Sequence, residues 1–182
     1  MAAKNFLLTG RPGIGKTTCV VKTAELLVSR GVKVGGMVTH EVREGGSRVG
    51  FKVRDLLTGR EGFLAKVGAG AGPRVGKYVV HVEELEAVGV GAILRAVSEA
   101  QVVVIDEIGP MELYSPSFLP AVLKALDSDK PVLATIHERE SSSGRLRGIL
   151  ERGDVKLYTV TLQNRDLLPP QLAREIASLV AR

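Results

Sequence analysis

Gly10-Arg11-Pro12-Gly13-Ile14-Gly15-Lys16-Thr17 constrains this chain more than any other stretch. It follows a short apolar segment, Leu7-Leu8-Thr9, that reads as a buried strand. It opens a run with Cys19, Val20, Thr23, Leu26 and Leu27 at helical spacing, which Gly31 stops. Strand, glycine turn and helix in that order fit G-x-x-x-x-G-K-[ST] in the context that gives the motif meaning. Glycines let backbone N–H groups turn inward around phosphate oxygens, and the helix N-terminus adds its positive end. Lys16 is expected to reach the β- and γ-phosphates, and the Thr17 hydroxyl to bind magnesium. Gly10, Arg11, Pro12, Gly13, Ile14 and Gly15 form the cradle. Thr18 either touches the α-phosphate or caps the helix. Without phosphate, Lys16 is expected to point into solvent. Cys19 reads as a buried helix residue, not a nucleophile.

A second segment completes the chemistry. Val102-Val103-Val104-Ile105 is apolar and β-branched, the pattern of a central parallel strand. Asp106 and Glu107 follow at its C-terminal end, which an open α/β sheet places beside the phosphate loop. Asp106 is expected to hold the magnesium through water, and Glu107 to act as general base on the attacking water. Asp106-Glu107-Ile108-Gly109 also fits the D-x-x-G switch of small GTPases. That reading needs an N-K-x-D guanine reader, and Asn164-Arg165-Asp166-Leu167 puts Leu where the second acid belongs. Thr135 ends an apolar run and either senses the γ-phosphate or serves structure. Glu112 is a second acid close by, for which capping or surface solvation is the simpler reading. Asn164 and Arg165 either contact the base, or cap a turn and pair with a surface acid.

The remaining pattern is alternating. Val38, His40, Val42 lead to Gly45-Gly46, and Val49, Phe51, Val53 lead away, which reads as a β-hairpin. Three glycines within Gly68 to Gly72 suggest a mobile loop. Helices are expected over Val82–Val97, weakened by Gly89 and Gly91, and over Phe118–Leu126, Arg145–Arg152 and Pro170–Val180. Further strands are expected at Val32–Val38, Pro131–Ile136 and Leu157–Leu162, and Ser141–Gly144 reads as a loop. Strands alternating with helices give an α/β fold with helices on both faces of the sheet. The organisation is one domain over 1–182 with a β-rich insertion at about 36–80.

Composition excludes several classes. One Cys makes no internal disulfide, and His at 40, 81 and 137 lack metal-ligand spacing. The longest run without polar residues, Ala87 to Leu94, is far short of the about 20 that a membrane span needs. The start of the chain lacks the apolar stretch of a signal peptide, so a cytoplasmic location is expected. A net charge of +5 suits anionic ligands, but no block of like charges appears. Aromatics at 4% and no Trp supply a base-stacking platform poorly, so nucleic acid is not the favoured partner. Scarce Asn, Gln, Cys and Met fit a thermophilic source.

GRPGIGKTT, the hairpin THEVREGGSRVGFKV, RVGKYVV, VVVIDEIGPMEL and TLQNRDLLP together resemble the THEP1-type nucleoside-triphosphatases, from Phe6 to Pro169. The resemblance implies a P-loop NTPase core of the ASCE division. That is a three-layer α/β fold with a mostly parallel sheet, here with the hairpin inserted after the second strand. It implies magnesium-dependent hydrolysis of ATP, GTP, CTP and UTP to diphosphate and phosphate. Base selectivity is expected to be low, since no guanine reader is present, and a monomer is expected. Turnover is expected to be slow, because no arginine has a context that fixes it over the γ-phosphate. Arg139, Arg145, Arg147, Arg152 and Arg165 are the candidates, with Arg152 and Arg165 favoured. Two rivals stand beside this reading. One is a nucleotide or nucleoside kinase whose lid draws on Arg139, Arg145, Arg147 and Arg152. The other is a nucleic-acid-stimulated ATPase or nucleotide-gated binding module.

Overall fold

The computed structural model describes residues 2–180. In chain order the elements are β1 (Asn5–Thr9), α1 (Lys16–Ser29), β2 (Val34–Glu44), β3 (Ser47–Asp55), β4 (Glu61–Val67), β5 (Arg74–Val75) and β6 (Tyr78–Val80). There follow α2 (Val82–Glu84), α3 (Gly91–Glu99), β7 (Val102–Ile108), α4 (Phe118–Asp127), β8 (Val132–Ile136), α5 (Glu138–Ser142), α6 (Arg147–Leu150), β9 (Val155–Thr159) and α7 (Leu168–Val180). All strands join one nine-stranded sheet in the order β5-β6-β4-β3-β2-β7-β8-β1-β9. The half from β2 to β9 is parallel, and β3 to β6 extend it as antiparallel hairpins.

Period-2 alternation sorts the parallel strands into two cores. Leu7, Val103, Ile105, Val132 and Ala134 face one side, under Ile93 of α3 and Phe118 and Val122 of α4. Phe6, Leu8, Val102, Val104 and Leu133 face the other, under Val20 and Leu27 of α1 and Leu172 and Ile176 of α7. Helix, sheet and helix make three layers, as the alternating pattern implied.

β2 is the hinge between the two halves. Its first residues pair in parallel with β7, Gly36 opposite Val104 and Met37 opposite Ile105. The same strand then runs on to pair with β3, His40 opposite Lys52 and Glu41 opposite Phe51. Gly36 has φ +116°, and a Cβ there would lie 1.9 Å from the Val104 carbonyl oxygen, so only glycine fits.

Several boundaries differ from the expected ones for local reasons. α2 and α3 form one rod joined by a π-helical turn, Leu85–Val90. Gly89 lies in that turn, where Met37 Sδ and Val53 Cγ2 would come within 3.2 and 3.3 Å of a Cβ, so glycine lets the rod lie close on the sheet. The Gly68–Gly72 loop is packed: a Cβ on Gly72 would meet the Val80 carbonyl at 2.4 Å, and Arg74 Nη2 donates to Gly68 O. Glu138–Ser142 is a short helix, because His137 Nδ1 accepts from the Arg139 N–H and caps it. The expected Arg145–Arg152 helix shrinks to α6. β9 ends at Thr159, because Asn164 accepts from Thr161 N–H and donates to Thr159 O, which turns the chain. No helix among the described residues is long and apolar enough to cross a membrane.

Candidate active site

β1 carries the loop to the C-terminal edge of the parallel strands, where β7 and β8 also end. Gly15 takes φ +111° as α1 begins, a conformation that turns the loop's N–H groups toward one point. The Lys16 ammonium is not solvated as expected. Its residue is 8% exposed, and Nζ curls back to donate to the Gly10 carbonyl at 2.7 Å. A bound phosphate therefore competes with this internal acceptor for the lysine.

Asp106 is buried at 1% exposure and gathers three donors. Thr135 Oγ1 donates to Oδ1 at 2.7 Å, Thr17 Oγ1 donates to Oδ1 at 3.1 Å, and Thr39 N–H donates to Oδ2 at 3.3 Å. Strands β8 and β2 and helix α1 thus converge on one carboxylate. Burial pushes its pKa up, and these hydrogen bonds and the Lys16 charge only partly offset that. A buried acid held in this way lacks a full counter-charge. Thr17 and Asp106 offer only hard oxygen donors, which suits a divalent cation that keeps water and phosphate oxygens in its shell. Among the described residues no group of three or more His, Cys, Asp or Glu is arranged to hold a metal by itself. A cation that takes most of its ligands from phosphate and water needs no such group.

Glu107 lines the same cavity as Lys16 and Thr17. Burial, and next the neighbouring Asp106 charge, push its pKa up to about 7, with Lys16 pulling the other way. Glu112 departs from the expected surface position. It is 2% exposed, and its Oε2 has no hydrogen-bond partner among the described residues. Burial first, and then the Glu107 charge, hold its pKa well above the usual carboxylate range. Gly109 separates the two acids: a Cβ there would lie 2.9 Å from Glu107 Oε1 and 3.0 Å from Glu112 Oε2.

The arginines are sorted by their partners. Arg152 is bound to Asp127, Asp154 and the Leu126 carbonyl. The Asp154 carbonyl accepts from Lys4 and Asn5 N–H, so Arg152 stands at the start of β1, the opposite end of the strand from the loop. It cannot serve the γ-phosphate from there. Arg145 pairs with Glu140 and Arg147 with Glu151, and neither they nor Arg139 line the cavity. Arg165 does reach the loop: Nη1 donates to the Ile14 carbonyl at 3.3 Å. It borders a smaller cavity of about 230 Å3 with Thr18, Cys19, Lys22 and Asp166. Asn164 is spent on its turn. Cys19 is buried, and burial pushes its thiol up to about 11, so it is unreactive.

Thr39, Arg48, Phe51 and His137 also line the main cavity, of about 680 Å3; the first three lie in the THEVREGGSRVGFKV hairpin, to which the sequence assigned no site role. His137 follows β8, and burial and then the Lys16 charge lower its pKa, favouring the neutral ring.

Comparison with known proteins gives the family. A family model described as NTPase matches residues 5–173. A "Nucleoside-triphosphatase THEP1" of Methanosarcina acetivorans is 49% identical over 166 residues, 91% of this chain and 92% of that protein. One of the same name from Methanocaldococcus jannaschii is 45% identical over 94% of this chain and 96% of its own length. The crystal structure of THEP1 from Aquifex aeolicus superposes with a TM-score of 0.82 at 31% identity, covering 94% of this chain and 98% of that one. The solution structure of a human cancer-related nucleoside triphosphatase gives 0.81 at 40% identity, covering 97% and 98%. With a family model spanning nearly all of its length and relatives above 40% identity over nine-tenths of it, the chain belongs to the NTPase family.

Proposed function

We propose that this chain, like its relatives named nucleoside-triphosphatases, hydrolyses nucleoside 5'-triphosphates to diphosphate and phosphate. The observation that carries the mechanism is Glu107. It lies in one cavity with Lys16 and Thr17, beside the buried Asp106, and its pKa is raised to about 7. A general base works best with a pKa near the working pH. On this reading the N–H groups of Gly10–Thr17 bind the phosphates, and Lys16 leaves Gly10 to neutralise the β- and γ-phosphate oxygens. Thr17 and Asp106 would hold magnesium, which when bound supplies positive charge at the transferring phosphate. Thr135 and the Thr39 N–H orient Asp106. Glu107 positions the attacking water and takes its proton.

Low base selectivity is part of the proposal. Asn164 is consumed by its own turn, and Arg165 with Lys22 offers charge rather than a pattern of paired donors and acceptors. Strong discrimination needs buried polar groups that the wrong base leaves unpaired. Slow turnover is supported by the positions of Arg139, Arg145, Arg147 and Arg152, none of which lines the cavity, and by Arg48, which lines it but is bound to Glu41 and Tyr78. A positioned arginine is worth about 10³–10⁵ in kcat. A monomeric catalyst is part of the proposal, and we place it in the cytoplasm, where such substrates are made. The kinase lid loses its support, since its arginines are paired or lie outside the cavity.

The test is Glu107→Gln. It keeps shape and removes the base, so ADP and magnesium should bind as in wild type while phosphate release from ATP, GTP, CTP and UTP falls about 10²–10⁴-fold. Wild-type turnover in that variant overturns the assignment.

A further inference from the structure

The cavity above the phosphate loop extends well past Lys16 and Glu107. The lining of its hairpin arm includes Arg48 and Phe51 of β3, Leu64 of β4 and Val75 of β5, and Met111, which packs with Phe51 and Val75 on the cluster that holds Leu64. A nucleotide on the loop does not need this arm. Lys16 meets the β- and γ-phosphates, and Thr18 borders both the main cavity and the smaller one beside Lys22 and Arg165. The nucleoside end therefore leaves toward α1, and the hairpin arm lies on the γ-phosphate side.

The arm has its own chemistry. Arg48 Nε donates to Tyr78 OH at 2.8 Å, and Nη1 donates to Glu41 Oε1 at 2.9 Å. Its guanidinium stacks 5.1 Å above the Phe51 ring and 5.8 Å from the Tyr78 ring. The other Glu41 oxygen is taken by Arg43 at 3.1 Å. Two guanidiniums share one carboxylate, so the group carries one uncompensated positive charge. Arg48 Nη2 donates to no other described residue. This cation is fixed by three side chains, Glu41, Phe51 and Tyr78, before any ligand arrives, which lowers the ordering cost of binding an anion. Arg48 stands on β3 opposite Arg43, four residues along β2 from Thr39, whose N–H binds Asp106, so its backbone lies of order 13 Å along the strand from that anchor. This displacement along the hairpin suits the remote end of a second molecule.

We propose that this arm binds a second small molecule alongside the nucleotide: a flat apolar or aromatic body carrying one anionic group, the anion on Arg48 and the body against the half-buried side chains of Phe51, Val75 and Met111. The proposal rests on the reading that phosphates occupy the loop with the γ-phosphate toward Glu107.

Phenyl phosphate, a ring with one phosphate, is the probe. The full-length protein is saturated with ADP and magnesium, then titrated by calorimetry. Expected is saturable one-site binding with ADP still in place. Benzyl alcohol, which keeps a ring and lacks the anion, and inorganic phosphate, which lacks the ring, should each bind at least about tenfold more weakly. Arg48→Gln should weaken phenyl phosphate at least about tenfold, and Arg48→Lys should restore most of that loss. Since Arg48 also braces β3 against Tyr78, Met111→Ala is the second variant; it should weaken phenyl phosphate with ADP affinity unchanged. Absence of saturable binding, displacement of phenyl phosphate by ADP, or wild-type affinity in both Arg48→Gln and Met111→Ala overturns the proposal. If ADP itself does not bind, the reading of the loop falls and this site with it. If ADP binds and phenyl phosphate does not, only this site falls.

Discussion

The Thr135 hydroxyl donates to Asp106 Oδ1 at 2.7 Å, inside the protein, between the ends of two neighbouring parallel strands. Both residues are almost fully buried, at 0% and 1% exposure. A buried hydrogen bond to a charged group contributes about 1.5–3 kcal/mol. Thr135→Val keeps the shape and removes the donor. It should raise the magnesium concentration for half-maximal phosphate release by roughly 10–100-fold, while Thr135→Ser stays near wild type. A magnesium titration of both variants checks this, and an unchanged requirement in Thr135→Val would show the bond to be idle.

Lys16→Ala removes the cation that the loop keeps folded against Gly10. Hydrolysis should become undetectable and ADP binding should weaken. The loop should also loosen, since the ammonium that bridges its carbonyls is lost, while the cores on both sheet faces keep the fold. Amide exchange over Gly10–Gly15 reads the loosening, and phosphate release reads the activity. Turnover within about tenfold of wild type, only ~1.4 kcal/mol of barrier, is the outcome that would sink the mechanism.

The buried acids predict an unusual pH dependence of stability. Glu107 has a folded pKa of about 7 against an ordinary 4.5. A carboxyl raised on folding leaves stability intact below the unfolded value and costs stability as pH rises toward the folded value. In nucleotide-free, metal-free protein the loss should therefore develop between about pH 4.5 and 7, reaching a few kcal/mol by linkage. Glu107→Gln cannot ionise. It should match wild type in thermal unfolding at pH 4.5 and melt higher at pH 8. Equal melting of the two proteins at pH 8 would mean that Glu107 is ionised at no cost.

Arg152 should act on stability alone. Its bonds to Asp154, Asp127 and the Leu126 carbonyl tie the start of β9 to the end of α4. Arg152→Ala should cost about 1–3 kcal/mol in denaturant unfolding and leave kcat within about twofold. Arg165→Ala should do the reverse, raising KM with little change in the melting temperature. A large fall in kcat for Arg152→Ala would contradict its place at the far end of β1.

The parts legible in the sequence were those with short-range causes. The loop, the Val102–Ile105 strand and the acids after it lie within single segments whose residue types dictate local geometry. The Gly45-Gly46 hairpin is equally local. Arg48 was hidden because its role depends on antiparallel register, which carries it back along the hairpin to Glu41 and across to Tyr78. Thr39 was hidden because it contributes a backbone N–H and no side-chain signal. Arg152 is held by Asp154, two residues on, and by Asp127 at the end of α4, and nothing in the local sequence shows that this pair lies at the far end of β1 from the loop. Glu112 looked like a surface acid because nothing in Met111-Glu112-Leu113 shows that the chain folds under Gly109. Asn164 was ambiguous by nature: the side chain that fits a base also fits a turn, and the turn lies closer.

β2 has one further consequence. Its eleven residues form a single beam, one end clamped in the parallel sheet and the other carrying the Gly45-Gly46 tip. Thr39 lies between these ends and holds Asp106 by its N–H. The hairpin is therefore not an ornament that could be trimmed or exchanged at the sheet edge. A chimera that imported residues 40–80 from a relative would join the graft to the beam one residue beyond the fulcrum, and any change in strand twist would be levered onto the carboxylate. Exchange of this region would have to begin before Val34, so that the beam travels whole.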